Sequence, residues 1–364
     1  MPMDTPLARM LGLHHPIIQA PMAGGGDTVA LNAAVCEAGG MGFIGAAYLS
    51  GKQIHERAQA MRAATDRPFG FNLFAPQSVP QVSAEQIEAA RRAVKPFYDE
   101  LGLDVPMPAL PSYTFDEQFA AVIDSNPAAF SFIFGTLPDG AVAELKRRYI
   151  VVIGTATTVE EALALQHAGV DAIVAQGTEA GGHRGSFEDT SSERGRVGTM
   201  ALIPQIVDAV SVPVVAAGGI MDGRGMAAAL ALGASAVQMG TAFLTCEESG
   251  ASEAYREAIL SAADGGGTRV TRVYSGRPAR GVVTRFMLDP EVVRTALPFP
   301  LQNALTRPLR TAAAERGMTD FLSMWAGQGA ALARRGSATE LMAWLVEEAH
   351  AVLAGLADAT RPTN

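Results

Sequence analysis

A histidine set among glycines is the residue of this chain best suited to acid–base chemistry. His183 lies in the segment Gln176-Gly-Thr-Glu-Ala-Gly-Gly-His-Arg-Gly185, just beyond a predicted buried strand. Glycines let the backbone approach a ligand closely, and an imidazole can accept or give a proton near neutral pH. Arg184 could neutralise an anion or remain a solvated loop residue, and Glu179 is expected to organise the loop. We therefore predict that His183 is the catalytic base.

Two strands that end in glycine predict a site for a phosphate group. One candidate strand runs into Gly218 and Gly219, and the next, after an alanine-rich helix, runs into Gly240 and Thr241. The bare backbone N–H groups at the ends of neighbouring parallel strands form a nest that suits one phosphate. The pattern thus predicts a phosphorylated cofactor.

The remaining strand ends are neutral. Asn72 and Gln176 can both donate and accept hydrogen bonds, which suits the pyrimidine edge of a flavin ring, although either amide could simply tie down a loop. The six glycine-spaced residues 40–45 match a dinucleotide fingerprint, but they run from a helix into a strand, which is the reverse of the required order. We interpret them as a tight turn rather than as a dinucleotide site. Because the neutral amides suit a flavin ring and the glycine strand ends suit a phosphate, FMN is the predicted cofactor.

Several other reaction classes lack the residues that they need. Glycoside hydrolysis requires two facing carboxylates and a Schiff-base aldolase requires an interior lysine, yet no strand end carries either group. The three lysines, Lys52, Lys95 and Lys146, all fall in predicted helices. No His, Cys, Asp or Glu cluster has metal-ligand spacing, so we expect no metal site.

The elements that must position these groups alternate between strand and helix. Eight short apolar runs, each followed by an amphipathic stretch, predict a closed TIM (β/α)8 barrel. The predicted strands cover residues 17–22, 42–46, 69–74, 129–135, 150–154, 172–176, 212–218 and 236–240. Two insertions, 76–111 and 178–199, follow strand ends and should overhang the active face. We divide the chain into a barrel, 1–248, and an appended helical and lid segment, 249–364, with C-terminal helices near 303–316 and 338–356.

Composition limits the partners and the compartment. The chain has 364 residues, of which 48% are hydrophobic, which is enough for one large domain. A net charge of −9 without any Lys/Arg-rich run argues against nucleic acid and anionic membranes. Two cysteines and the lack of an apolar run of ~20 residues lead us to expect a cytoplasmic protein. A homodimer is compatible with the sequence.

Taken together, six motifs resemble those of the nitronate monooxygenases, formerly called 2-nitropropane dioxygenases. The resemblance covers most of the predicted barrel, and the Gly-Gly-His-Arg-Gly run is its most specific part. The motifs are Pro16-Ile-Ile-Gln-Ala-Pro-Met-Ala-Gly-Gly25, Glu37-Ala-Gly-Gly-Met-Gly-Phe-Ile-Gly-Ala46, Phe71-Asn-Leu-Phe74, Ala175-Gln-Gly-Thr-Glu-Ala-Gly-Gly-His-Arg-Gly185, Ala216-Ala-Gly-Gly-Ile220 and Met239-Gly-Thr-Ala-Phe-Leu244.

The resemblance implies a non-covalent FMN and a reaction. It implies contacts to the flavin ring from six residues at or near the strand ends, namely Pro21, Met22, Ala23, Asn72, Gln176 and Gly181. It implies phosphate contacts at the four glycine-strand positions already named, and it makes His183 the base for neutral nitroalkanes. The implied reaction oxidises an alkyl nitronate with O2 to a carbonyl compound and nitrite, through one-electron transfer to FMN and without a nicotinamide cofactor.

The chain departs from the family after the barrel. Members of the family carry tyrosines and a lysine where this chain has Phe299, Asn303 and Arg307. The substrate-side wall should therefore differ, and Tyr113 or Tyr274 could supply a phenol instead. Two alternatives remain open: an NAD(P)H-dependent FMN reductase acting on enoyl thioesters or quinones, because such barrels share the glycine motifs, and a non-catalytic flavin-binding protein.

Overall fold

A computed structural model describes residues 3–78, 80–188, 196–264 and 267–359. Eight parallel strands close into a barrel, so the predicted TIM fold is confirmed. All eight predicted strands are present, and Gln19 pairs with Met239 to close the ring. The barrel strands are β1 Ile17–Gln19, β2 Met41–Gly45, β3 Gly70–Phe74, β4 Ala129–Ile133, β5 Val151–Ala156, β6 Ala172–Gln176, β8 Val214–Ala217 and β9 Ala236–Met239, and β7 lies outside the barrel.

The barrel strands are buried on both faces. Interior residues such as Ile18, Phe43 and Val174 form one apolar layer, while outward-facing residues such as Phe71 and Val237 pack against the surrounding helices. This double burial explains why the strands read as continuous apolar runs rather than as alternating patterns. The residues with the dinucleotide-like spacing run from the turn after α2 into strand β2, which begins at Met41, one residue before the predicted start.

Helices follow the strands around the barrel. Ser50, Ser83 and Thr114 each close a capping box at the start of a helix, which fixes where α3, α4 and α5 begin. The helices of this part of the chain are α1 Pro6–Leu11, α2 Val29–Glu37, α3 Gly51–Ala64, α4 Ala84–Glu100, α5 Phe115–Ser125, α6 Ala141–Arg147, α7 Val159–His167, α8 Thr199–Ala209, α9 Gly223–Ala231 and α10 Thr241–Leu244.

The chain after the barrel builds a second packed unit. Its elements are α11 Glu253–Leu260, β10 Thr268–Thr271, β11 Ala279–Val282, α12 Arg285–Leu288, α13 Pro290–Thr295, α14 Leu301–Glu315 and α15 Ala338–Ala359, with 3₁₀ turns at Ser261–Asp264, Thr319–Phe321 and Gln328–Leu332. Helix α4 of the first insertion joins α14 and its neighbours in a separate apolar cluster. Helix α15 instead packs outside the barrel against α9 and α2. The domain division at residue 248 stays a prediction.

The second insertion contains a strand that the sequence did not indicate. Strand β7, Gly182–His183, pairs antiparallel with β11 through His183 and Ala279. A two-residue strand has no periodicity of its own, because its partner lies almost a hundred residues further along the chain. Within this insertion, residues 189–195 lie outside the described residues.

The described residues contain neither a helix that could span a membrane nor a cluster that could hold a metal ion. No described helix is long and apolar enough to cross a membrane. No group of three or more described His, Cys, Asp or Glu side chains is arranged to hold a metal ion.

Candidate active site

A cavity of about 560 Å³ opens at the carboxyl ends of the barrel strands. Cofactor and small-molecule sites typically fall in the range of ~300–1,000 Å³. All eleven predicted site residues lie on the wall of this cavity: Pro21, Met22, Ala23, Asn72, Gln176, Gly181, His183, Gly218, Gly219, Gly240 and Thr241. Residues from five barrel strands and the loops after them are thus brought to one place.

The glycines after β8 and β9 form an open backbone cradle. Gly218 and Gly219 have φ of +113° and +72°, a region that residues with a side chain rarely adopt. A Cβ at Gly218 would lie 2.9 Å from the Thr199 hydroxyl, whose Oγ1 donates to the Gly218 carbonyl. Among the described residues, no hydrogen bond is donated by the N–H of Gly218, Gly219 or Gly240. These N–H groups are therefore free to bind an anion.

A buried carboxylate shapes the loop after β1. Oδ2 of Asp27 accepts hydrogen bonds from the backbone N–H of Met22 at 2.8 Å and of Gly45 at 2.7 Å. Burial raises the pKa of Asp27 to about 6, and the two hydrogen bonds and the charge of Arg57 act in the opposite direction. Sequence reasoning missed Asp27, which ties the ends of two strands together below the cavity.

The two predicted amides have different surroundings. Asn72 is buried, and its Nδ2 donates to the Ser131 hydroxyl at 2.9 Å. Gln176 binds the histidine loop: its Nε2 donates to the carbonyl of His183 at 3.0 Å, and its Oε1 accepts the N–H of Gly185 at 2.7 Å. Gln176 therefore positions His183, whatever else it contacts.

His183 is enclosed by aromatic rings and tied to one hydroxyl. Its Nε2 lies 2.9 Å from Oγ of Ser275, a residue that sequence reasoning missed. The rings of Phe74, Phe134 and Trp325 lie with centroids 5.9, 5.8 and 5.7 Å from the imidazole. Burial, together with the nearby charges of Arg277 and Arg310, lowers the pKa of His183 to about 3. The imidazole is therefore neutral near pH 7, with a lone pair able to accept a proton.

Arg184 and Glu179 serve the loop. Arg184 Nη1 donates to the Gln176 carbonyl at 2.6 Å, and its burial lowers the pKa of the guanidinium to about 10. Glu179 accepts hydrogen bonds from the N–H and the hydroxyl of Thr199 at 2.9 and 2.8 Å. The expected organising role of Glu179 is confirmed, and neither residue lines the cavity.

The chain after the barrel supplies the opposite wall of the cavity. Asn303 and Arg307, two of the residues that depart from the family pattern, line it, whereas Phe299 packs behind it with its ring 5.9 Å from that of Phe74. Neither predicted phenol is there, because Tyr274 donates to or accepts from Thr284 at 2.5 Å in the second apolar cluster and Tyr113 lies away from the cavity. Tyr48, from the segment between β2 and α3, lines the cavity instead, and burial raises its pKa to about 12.

The cavity residues that the sequence did not indicate share one property. They are single polar or aromatic side chains brought in by tertiary packing, with no motif around them to signal a site. They include Tyr48, Ser275, Arg310, Ser323 and Trp325.

Fold and site together define a TIM barrel with a glycine-lined cavity at the strand ends and a histidine on its wall. A family model described as nitronate monooxygenase matches residues 6–348. The chain is 44% identical to a probable nitronate monooxygenase of Staphylococcus haemolyticus and 42% identical to one of Staphylococcus aureus strain Newman. The alignments cover 96% and 95% of this chain and 98% of each relative. The chain belongs to the nitronate monooxygenase family.

Solved structures agree in fold. A nitroalkane oxidase from Streptomyces ansochromogenes has a TM-score of 0.89 and 40% identity, covering 96% of this chain and 99% of that one. FabK from Thermotoga maritima has a TM-score of 0.76 and 29% identity, covering 98% and 99%. The family assignment makes this chain an oxidoreductase.

Proposed function

We propose that the protein oxidises alkyl nitronates, and also neutral nitroalkanes, with O2 to a carbonyl compound and nitrite, with FMN as cofactor and His183 as base. The observation that carries this proposal is a neutral His183 on the wall of a cavity that also contains a cradle of unpaired backbone N–H groups. The names of the similar nitronate monooxygenases and nitroalkane oxidase agree with it.

The residues present fit FMN. The N–H groups of Gly218, Gly219 and Gly240 have no described acceptor, which suits a phosphate, and Thr241 adds a hydroxyl at the start of α10. The loop of Pro21 to Ala23 and the amides of Asn72 and Gln176 line the same cavity as the cradle and His183. When bound, FMN would accept electrons from the nitronate and pass them to O2.

The chain's own residues then have three tasks. His183 takes the proton from the carbon of a neutral nitroalkane, while Ser275 and Gln176 hold its ring and backbone in place. Phe74, Phe134 and Trp325 exclude water around the imidazole. A nitronate is already deprotonated, so the protein has only to hold it near the cofactor.

Replacing His183 tests this proposal. His183→Asn should retain FMN, abolish nitrite release from neutral nitroalkanes and reduce nitrite release from nitronates less severely. General-base catalysis contributes typically ~100- to 10,000-fold, so the loss on nitroalkanes should fall in that range. The matched control is His167→Asn, because His167 is exposed and bonds only the Leu163 carbonyl of its own helix. Unchanged nitroalkane turnover in His183→Asn would remove His183 from the mechanism.

An NAD(P)H-dependent FMN reductase is the second candidate, because FMN barrels of that type share the glycine motifs of this chain. A non-catalytic flavin-binding protein is a third. The tertiary bonds that hold His183 over the cavity argue for a reacting group there rather than for simple storage of a flavin.

The proposed enzyme works on small molecules. Its partners would be a nitronate or nitroalkane and O2, without nucleic acid or a membrane surface. Cys36 and Cys246 are both free and buried, which is compatible with the reducing cytoplasm that we propose as its compartment.

A further inference from the structure

Two arginines of helix α14 face the same cavity as His183. Arg307 and Arg310 are one helical turn apart, and both line the wall opposite the barrel strands. Arg307 is exposed, whereas Arg310 lies deeper, between Asn303 and Ser323. The deeper guanidinium is the positive charge that a ligand beside His183 would meet.

The described partners of Arg310 are all neutral. Its Nη2 donates to Oδ1 of Asn303 at 2.6 Å, and its Nη1 donates to Oγ of Ser323 at 3.2 Å. Its Nε is buried and has no hydrogen-bond acceptor. Within residues 3–78, 80–188, 196–264 and 267–359, no carboxylate forms an ion pair with Arg310. The acid on the cavity wall, Glu315, is exposed and does not pair with it.

A half-buried cation without a counter-charge is costly, and an anion that enters the cavity relieves the cost. A nitronate spreads its negative charge over two coplanar oxygens, a shape that matches the planar fork of a guanidinium. A neutral nitroalkane has the same two oxygens but no net charge. The two substrates of the proposed reaction therefore differ mainly in the charge that Arg310 could recognise.

We propose that Arg310 binds the oxygens of the nitronate and is the residue that makes the enzyme prefer nitronates over neutral nitroalkanes. This inference rests on the proposed function. The fixed contacts with Asn303 and Ser323 hold the guanidinium in place before substrate arrives, so little side-chain entropy is lost on binding. Arg310 also lies near enough to His183 to disfavour the imidazolium, which further handicaps a substrate that must be deprotonated.

Steady-state kinetics with an alkyl nitronate and with the matching nitroalkane test the inference. Arg310→Gln should raise KM for an alkyl nitronate by about 10- to 100-fold, the value of a hydrogen bond to a charged group, and change KM for the matching nitroalkane by less than about 3-fold. Arg310→Lys keeps the positive charge but loses the planar fork. Its KM for the nitronate should therefore lie between those of the wild type and Arg310→Gln. Arg316→Gln is the matched control, because Arg316 ends the same helix and bonds the Leu101 carbonyl away from the cavity.

Binding of unreactive analogues separates this inference from the proposed function. Isobutyrate resembles the nitronate of 2-nitropropane in shape and charge, and isobutyramide is its neutral counterpart. Calorimetry should show that the wild type prefers isobutyrate and that Arg310→Gln loses this preference. An equal loss for both substrates, or an intact isobutyrate preference in Arg310→Gln, would overturn the inference. Failure of nitronate turnover with a preserved, Arg310-dependent preference would instead reject the proposed function alone.

Discussion

The two walls of the cavity are built from different materials. The barrel wall consists of backbone and small neutral groups at strand ends, such as Gly218 and Asn72, whereas the wall after the barrel consists of Ser275, Arg310 and Trp325. The hydrogen bonds of the barrel sheet hold the glycine cradle in place. The second wall depends instead on hydrogen bonds between residues far apart in the chain. The comparison suggests that the barrel wall holds the cofactor and the second wall selects the substrate.

The walls meet at the backbone N–H groups of Gly327 and Gln328. The N–H of Gly327 donates to Oγ1 of Thr241 at 2.9 Å, and the N–H of Gln328 donates to the Glu179 carbonyl at 2.9 Å. At Gly181 there is no room for a side chain, because an added Cβ would lie 2.6 Å from the Gly327 nitrogen. Changes at this seam should affect both walls at once.

The largest expected effect comes from filling this seam. Gly181→Ala should lower the free energy of unfolding by ~1–3 kcal/mol, the usual cost of overpacking, and strongly reduce nitrite release. Urea denaturation and a nitrite assay measure the two effects. Gly355→Ala is the control, since a Cβ there meets nothing within 4 Å. Wild-type behaviour of Gly181→Ala would show that the walls do not depend on this contact.

The stability of the protein should depend on pH through His183, which lies at the junction of the walls. Folding lowers the pKa of His183 from 6.5 to about 3, so the unfolded chain binds the proton more readily. The associated stability is present above pH 6.5 and is lost as pH falls toward about 3. Asp27 acts with the opposite sign, because folding raises its pKa from 3.8 to about 6.

Comparing variants isolates the histidine contribution. Between pH 6.5 and about 3, wild type should lose more stability than His183→Asn on acidification, as followed by urea unfolding. Parallel curves for the two proteins would mean that His183 is not buried as described.

A smaller effect is expected behind Trp325. The hydroxyl of Tyr255 donates to the Trp325 carbonyl at 2.6 Å, so Tyr255→Phe leaves that acceptor without a donor. The free energy of unfolding should fall by ~1 kcal/mol, the lower end of the cost of an unsatisfied acceptor, because this hydrogen bond is only partly buried. Tyr149→Phe serves as control, because Tyr149 is 92% exposed. No difference between the two variants would argue that the second wall holds Trp325 without this bond.

The smallest effect belongs to the outer surface of the second wall. Arg335 pairs with Glu253 at 2.5 Å and with Glu257, and all three side chains are about half exposed. Exposed ion pairs contribute ~0–1 kcal/mol, so Arg335→Gln should change stability within that range and less at high salt. A larger loss would show that the surface of this wall matters as much as its cavity face.

The sequence predicted the barrel wall better than the second wall. Each barrel strand is a local apolar run, and glycine at a strand end is visible in the sequence, so the eight strands are confirmed. Contacts such as Ser275 with His183, which are 92 residues apart, carry no local pattern. Strand β7 and Arg310 were missed for the same reason, since tertiary packing alone brings them to the cavity.

Reduction of the flavin under anaerobic conditions tests the central claim most directly. The purified protein with FMN bound is mixed separately with an alkyl nitronate and with NADPH while the flavin absorbance is followed, and O2 is then admitted and nitrite is measured. Our account predicts turnover of the nitronate with nitrite release and no rapid bleaching by NADPH. Rapid bleaching by NADPH, together with slow or absent nitronate turnover, would contradict it and favour the reductase.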